Sequence, residues 1–511
     1  ICDNNSDNDN ETCDAGCIDQ NAENYDPDAT IFNNSCIYND HTFSVPHEYE
    51  KIEDALFFAS NQDTVLVGPG IYEEELDFDG KGIVLLSSEG PEETSIIANS
   101  DNNNGDGMYD PGSSVITIRD AENVFIDGFT LENGYGKGVN FEYFISVASD
   151  ENAFNDMIYN HISSGGLSVI NSSITLSNLI IKNNVAQNVG GGIGLVDSHS
   201  ILNNIVIENN EVIDIDGLGG GGIGINGGTT IIDNCIIKGN TVGLNMYQLN
   251  GGGAIMCGFN FDDTPLNLFI SNTTMHNNTA NIGAALGILS GNISIDRSLI
   301  YDNIGDFGSA ISLGEPLGLV VDEINMTLTN STIANNHGTL SFGLIDNSNL
   351  TIANSIIWNN GLMELTSLPN NSILNTNIFN SDIRITDGLN LQDSFSSDPL
   401  FANYSNNDFY LLDQSPCIDT GTNFLILNDN ILINMQSDEY SGTMPDMGYF
   451  EHIPAILGDI NQDQLINIFD IIILVEATLD NQYIYSGDLN QDTQVNILDV
   501  IVLVNLILNT E

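Results

Sequence analysis

Apolar and polar positions keep step in a seven-residue phrase, Asn-x-x-Ile-x-Asn-Asn, that recurs seven times. The copies are 178–184 (NLIIKNN), 204–210 (NIVIENN), 234–240 (NCIIKGN), 272–278 (NTTMHNN), 297–303 (RSLIYDN), 330–336 (NSTIANN) and 354–360 (NSIIWNN). Their final asparagines are 26, 30, 38, 25, 33 and 24 residues apart. The fourth position (Ile181, Ile207, Ile237, Met275, Ile300, Ile333, Ile357) is always apolar and is predicted to point inward and stack on its equivalents. Alternation turns the fifth outward, placing Lys182, Glu208, Lys238, His276, Tyr301, Ala334 and Trp358 in one file. The seventh is Asn throughout and is predicted to occupy a left-handed turn, its amide bonding the same amide one coil away. A second phrase of three small residues and an aliphatic runs in step at 190–193, 220–223, 252–255, 283–286 and 308–311. Short β-branched runs separated by Gly and Asn turns, with a period between 20 and 50 residues, predict a β-solenoid with outer loops absorbing the variable spacing.

Charge narrows the function. Eight Lys and Arg against 71 Asp and Glu leave a net charge of −63, which excludes nucleic acid and anionic membrane surfaces as partners held by counterion release. With 41% hydrophobic and 15% charged residues the chain can bury a core. The longest apolar runs are broken by Asp470, Asp499 and Asn505, so no membrane insertion is expected. Cys2, Cys13, Cys17 and Cys36 crowd into the first 36 residues and read as two disulfides in an oxidising compartment. With a chain that opens at Ile1 without a leader, they point to a secreted or cell-surface protein whose signal peptide has been removed, or to a truncated chain.

The repeats resemble the right-handed parallel β-helix of the pectin-lyase-like class. An amphipathic stretch from Glu48 to Ala59, with Ile52, Ala55, Leu56 and Ala59 on one face, precedes 63–72 (DTVLVGPGIY), as in members whose N-terminal helix plugs the solenoid. The runs 398–401 (DPLF), 415–421 (SPCIDTG) and 446–450 (DMGYF) resemble its last coils. The resemblance covers roughly Phe43 to Glu451, and it specifies fold better than function.

After Pro454, Asp459-x-Asn461-x-Asp463-x-x-x-Asn467-x-x-Asp470 is followed 29 residues later by Asp488-x-Asn490-x-Asp492-x-x-x-Asn496-x-x-Asp499, each leading into an apolar run. The pair resembles a dockerin, whose duplicated loop is related to the EF-hand. The resemblance implies one Ca²⁺ per loop, held by these side chains and the carbonyls of Leu465 and Gln494. Position 6, usually Gly, is Gln464 and Thr493, for which a positive φ is unfavourable. In dockerins positions 10 and 11 help to recognise a cohesin; here they are Ile468-Phe469 and Ile497-Leu498, apolar in both halves. Only seven residues, 451–457, join this tail to the solenoid, a reach of roughly 25 Å. Packing on the last coil and docking to a partner both stay open. The N-terminal run 16–36 resembles a cysteine-bounded repeat of secreted marine bacterial proteins, with Cys2–Cys13 and Cys17–Cys36 the expected pairings among three connectivities.

No catalytic residue is assigned. Acidic, basic and imidazole groups of the class's lyases and hydrolases occur singly, as Asp262-Asp263, His337-Gly338 and an Arg384 followed by Ile385-Thr386. His276, Tyr301 and Trp358 form a candidate carbohydrate platform on the outward file, opposed by the reading of a mixed solvated face crossed by a loop. Cys235, Cys257 and Cys417 read as buried small apolar residues.

The expected organisation is therefore a cysteine-stapled module (1–40), an all-β right-handed parallel β-helix (41–453) and a small α-helical calcium-binding domain (454–511). The expected function is extracellular adhesion, glycan binding or end-to-end assembly without catalysis, through a cohesin-like protein, copies of itself or a polysaccharide. The rival expectation is a polysaccharide lyase or glycoside hydrolase carrying a dockerin.

Overall fold

A computed structural model describes residues 41–98, 114–138, 162–213, 219–243, 251–258, 266–314, 323–338, 340–344, 348–360, 363–367, 376–384, 390–452, 457–461, 465–480, 484–490, 492 and 494–509, with isolated positions 15, 16, 31, 32, 146 and 153. Cys2, Cys13, Cys17, Cys36, Asp262, Asp263, Asp463, Gln464 and Thr493 lie outside these residues. In the N-terminal region, Ala15–Gly16 pairs in parallel with Ile31–Phe32.

Parallel sheets dominate: among the described residues one has 21 strands, a second 11 and a third four. One coil shows the repeat. Ile193–Asn203 lies in the wide sheet, Val206–Glu208 in the narrow one and Glu211–Val212 in the third. A glycine turn then leads back to the wide sheet at Ile223–Asp233, in register with Ile193–Asn203. That turn needs glycine at Gly220, where φ is +82° and a Cβ would stand 2.4 Å from the Ile223 carbonyl oxygen. The chain is thus a parallel β-helix. Its N-terminal end is plugged by α1 (Ile52–Phe58), whose Ile52, Ala55 and Leu56 join Ala59 in the core.

All seven fourth-position side chains are buried at 0% exposure. The seventh-position asparagines are also buried, and this corrects the turn assignment. The left-handed residues are the first of the phrase (φ 43–54°) and the sixth, including Asn183, Gly239, Asp302 and Asn359 (φ 52–65°). Inside the solenoid, Asn184, Asn210, Asn240, Asn278, Asn303, Asn336 and Asn360 form one ladder. Each of the first six donates Nδ2–H to the next Oδ1 at 2.7–3.0 Å, and its backbone N–H to that same oxygen at 3.0–3.2 Å. The amides also donate to carbonyls one coil back, as from Asn278 to Ile237 at 2.9 Å. Buried neutral groups are thereby satisfied without any charge.

Residues 395–452 form a closing segment that runs back along the outside. Its hairpin, Phe424–Leu427 with Asn430–Asn434, packs Ile433 on Ala353 and Phe379, and Glu439 pairs with Arg297 at 2.9 Å.

Candidate metal centre and docking face

The tail folds around two helices, α2 (Ile468–Asp480) and α3 (Ile497–Asn509), with Ile460, Leu474, Val500 and Leu503 buried between them. The two loops repeat one arrangement. Asp470 accepts the N–H groups of Ile460 (2.7 Å) and Asn461 (3.1 Å) on Oδ1 and of Asn467 (2.8 Å) on Oδ2. Asp499 accepts those of Asn490 (3.2 Å) and Asn496 (2.9 Å) in the same way. Asn467 Oδ1 accepts from Phe469, and Asn496 Oδ1 from Leu498, each at 2.9 Å or less. Loop positions 9 and 12 therefore also serve as capping boxes for the helices that follow.

Capping meets only part of the charge. Asp459, Asp470, Asp488 and Asp499 are all at most 4% exposed, whereas the last Lys or Arg of the chain is Arg384. Burying carboxylates with no cationic side chain nearby in sequence is costly. Asn461, Asn490, Asp492 and the carbonyls of Leu465 and Gln494 could supply further oxygens, a hard all-oxygen set of the kind that suits Ca²⁺ rather than the softer metals. Among the described residues, which omit Asp463, no three His, Cys, Asp or Glu side chains converge at metal-holding separations. In the second loop Asp492 instead receives the Asn490 side-chain amide (3.1 Å) and donates its own N–H to Asp488 (3.0 Å). The first helical turns carry an apolar surface: Ile468, Phe469, Ile497 and Leu498 are each more than half exposed, and Ile472 and Ile501 extend the patch one turn on.

The outward file of the solenoid assembles in the expected register, from Lys182 beside Glu208 through to Ala334 beside Trp358. It opens with ion pairs, Lys182 to Glu132 at 3.8 Å and Lys238 to Glu208 at 2.9 Å. His276 and Tyr301 stack at 4.8 Å with planes 3° apart. Burial and then Lys238 lower the His276 pKa, so the ring is neutral at neutral pH. His276, Tyr301 and Trp358 are each part-exposed, and the closing segment crosses this face. The closing segment roofs Tyr301 and Trp358 with Phe401 and Phe409, with Phe409 5.5 Å from Tyr301. Asp302 fastens the roof by accepting from the side chains of Asn335 and Asn407, and Tyr404 donates to Asn335 at 3.1 Å.

His337 pairs with Asp302 at 3.5 Å, and Arg384 donates to Asn359 at 2.9 Å. Cys235, Cys257 and Cys417 are buried free thiols, with burial pushing the first two up to about 12. Sequence reasoning passed over the carboxylates of the closing segment. Asp446 accepts from Asp419 (2.8 Å) and from His452, and Glu451 accepts from Asp446 and Ser441. Burial, and then Asp446, push Glu451 up to about 7, and burial pushes Asp382 up to about 6. The signal lay in the repeated acids of 415–421 and 446–451, which a fold-level resemblance absorbs without assigning them partners.

No family model matches the chain, and no curated protein matches it. Solved structures do. A pectate lyase is 15% identical with a TM-score of 0.46, covering 79% of this chain and 91% of its own. A Yersinia enterocolitica family 28 exopolygalacturonase is 10% identical at 0.28, covering 71% and 78%. An alginate lyase is 11% identical at 0.36, covering 82% and 60%. Among the described residues no helix is long and apolar enough to cross a membrane.

Proposed function

We propose that the chain is a non-catalytic extracellular scaffold whose β-helix is a rigid display body and whose tail is a calcium-ordered docking module. The observation that carries this reading is the tail's doubled design, in which each aspartate loop precedes a helix whose first turn exposes an apolar pair. Asp459, Asn461, Asp463, Leu465, Asn467 and Asp470 would hold one Ca²⁺; Asp488, Asn490, Asp492, Gln494, Asn496 and Asp499 would hold the other. Calcium would neutralise the buried carboxylates and set the two helices so that Ile468, Phe469, Ile497 and Leu498 present one surface. The partner is a cohesin-like protein or a second copy of this chain.

At −63 per chain, self-association requires screening, so it should rise with calcium and ionic strength. Light scattering in millimolar calcium and high salt, with and without a cohesin-like protein, tests this. A complex that Phe469→Asp with Leu498→Asp abolishes supports docking. A strictly monomeric chain that also ignores the cohesin refutes it, and release of unsaturated or reducing ends from polysaccharides would establish the lyase or hydrolase reading in its place.

A further inference from the structure

Both tail helices carry more apolar surface than their own core uses. Ten of the 13 residues of α3 are Ile, Leu or Val, and its one acid, Asp499, is buried. Val500 and Leu503 face the core between the helices, yet Ile497, Leu498, Ile501, Val502, Leu506 and Leu508 are all exposed. A helix that is apolar on every side belongs in an environment that covers every side. The exposed residues are also ordered. Ile468, Ile472, Val475 and Leu479 follow one another along α2 at steps of four, three and four, and all are exposed. The residues 29 further on, Ile497, Ile501, Val504 and Leu508, repeat those steps along α3, with Val504 part-exposed. Of the acids of α2 and α3 whose burial is described, Glu476 alone is exposed.

Steps of four and three are the spacing at which one helix receives another, so the occupant of such a stripe is itself a helix with the same spacing. Among the described residues, no helix of this chain outside the tail offers one: α1 has seven residues and buries Ile52, Ala55 and Leu56 in the solenoid. Each stripe runs roughly 16 Å, from the first turn to the last. A contact confined to Phe469, Leu498 and their neighbours would leave the far half of both stripes in water. The duplication makes the surface self-complementary, since two copies of one pattern can meet two more about a twofold axis in a closed set of four helices. We infer that the tail is a homodimerisation module, in which α2 and α3 of a second copy of this chain cover Val475, Leu479, Val504 and Leu508. The inference rests on the docking reading of the tail and narrows its partner to a second copy.

Sedimentation equilibrium of the full chain in millimolar calcium and high salt tests the inference. A mass twice the 55.2 kDa of one chain is expected, reached with rising concentration and not exceeded. Leu479→Asp with Leu508→Asp, at the far end of the stripes from Phe469 and Leu498, should weaken the dimer about 100-fold or more, the ratio that loss of two buried leucines gives. Both leucines are at least 66% exposed in the single chain, so at dilutions where wild type and variant are monomeric their unfolding temperatures should agree. A lower value for the variant would assign the leucines to the tail's own fold and overturn the inference. If Leu479→Asp with Leu508→Asp dimerises as the wild type does while Phe469→Asp with Leu498→Asp does not, the four-helix contact fails and docking through the first turns stands. A monomeric wild type that binds a cohesin-like protein has the same meaning, and one that binds neither overturns both readings. Masses that climb past two chains, or uptake by phosphatidylcholine vesicles in place of dimerisation, also overturn the inference.

Discussion

Solenoid and tail both bury polar side chains, and they meet the cost in opposite ways. In the solenoid's asparagine ladder the buried groups are neutral amides, each donating to the next coil: Asn278 takes two hydrogen bonds from Asn240 on one oxygen and gives two to Asn303. Ser298, Ser331 and Ser355 repeat the device at the second phrase position, each backbone N–H donating to the next hydroxyl. In the tail the buried groups are carboxylates, and no Lys or Arg follows Arg384. A neutral ladder closes on itself and needs nothing from solvent. Buried carboxylates do not, so on the proposed reading the same degree of burial leaves one region self-sufficient and makes the other dependent on a cation.

The largest expected effect is therefore metal removal. Excess chelator should unfold the tail and expose 457–509 to protease while the β-helix keeps its circular-dichroism signature. Second comes a break in the ladder. Asn278→Ala leaves the Asn240 backbone N–H and the Ile237 carbonyl without their partners, which should cost about 2–4 kcal/mol in denaturant unfolding, equally with and without calcium.

A smaller effect should appear with pH in the closing segment. Glu451, held up at about 7, keeps its proton in the folded chain at pH values where the unfolded chain has lost it. The stability this confers is full at low pH and is lost as pH rises from the ordinary carboxylate range to about 7. Asp382, at about 6, acts with the same sign. Amides of 395–452 should exchange faster at pH 8 than at pH 5, and Glu451→Gln should flatten the difference. The smallest effect on stability belongs to Phe469→Asp with Leu498→Asp, whose side chains are already exposed. The unfolding temperature should stay within a degree or two, as surface changes usually allow, while association is lost.

Much of the fold was legible because the fourth phrase position is invariably apolar, and stacking in a parallel solenoid requires that. The turn was misplaced by one residue because positions six and seven are both usually Asn. Position six does vary, to Gly239 and Asp302, residues that tolerate the left-handed region, whereas position seven never varies because the ladder needs an amide that both donates and accepts. A segment crossing the face of Tyr301 and Trp358 was among the readings, but which segment supplies it was not legible, since it depends on a return of the chain that no local period encodes: Asn407 reaches Asp302 from 105 residues away.

The contrast between the two regions is tested most directly by hydrogen exchange, followed by mass spectrometry on the intact chain in calcium and then in excess chelator. Protection should collapse across α2 and α3 and stay unchanged from Leu167 to Ile383. Equal protection of α2 and α3 in both conditions would show that the buried aspartates need no cation, and would contradict the calcium-ordered tail.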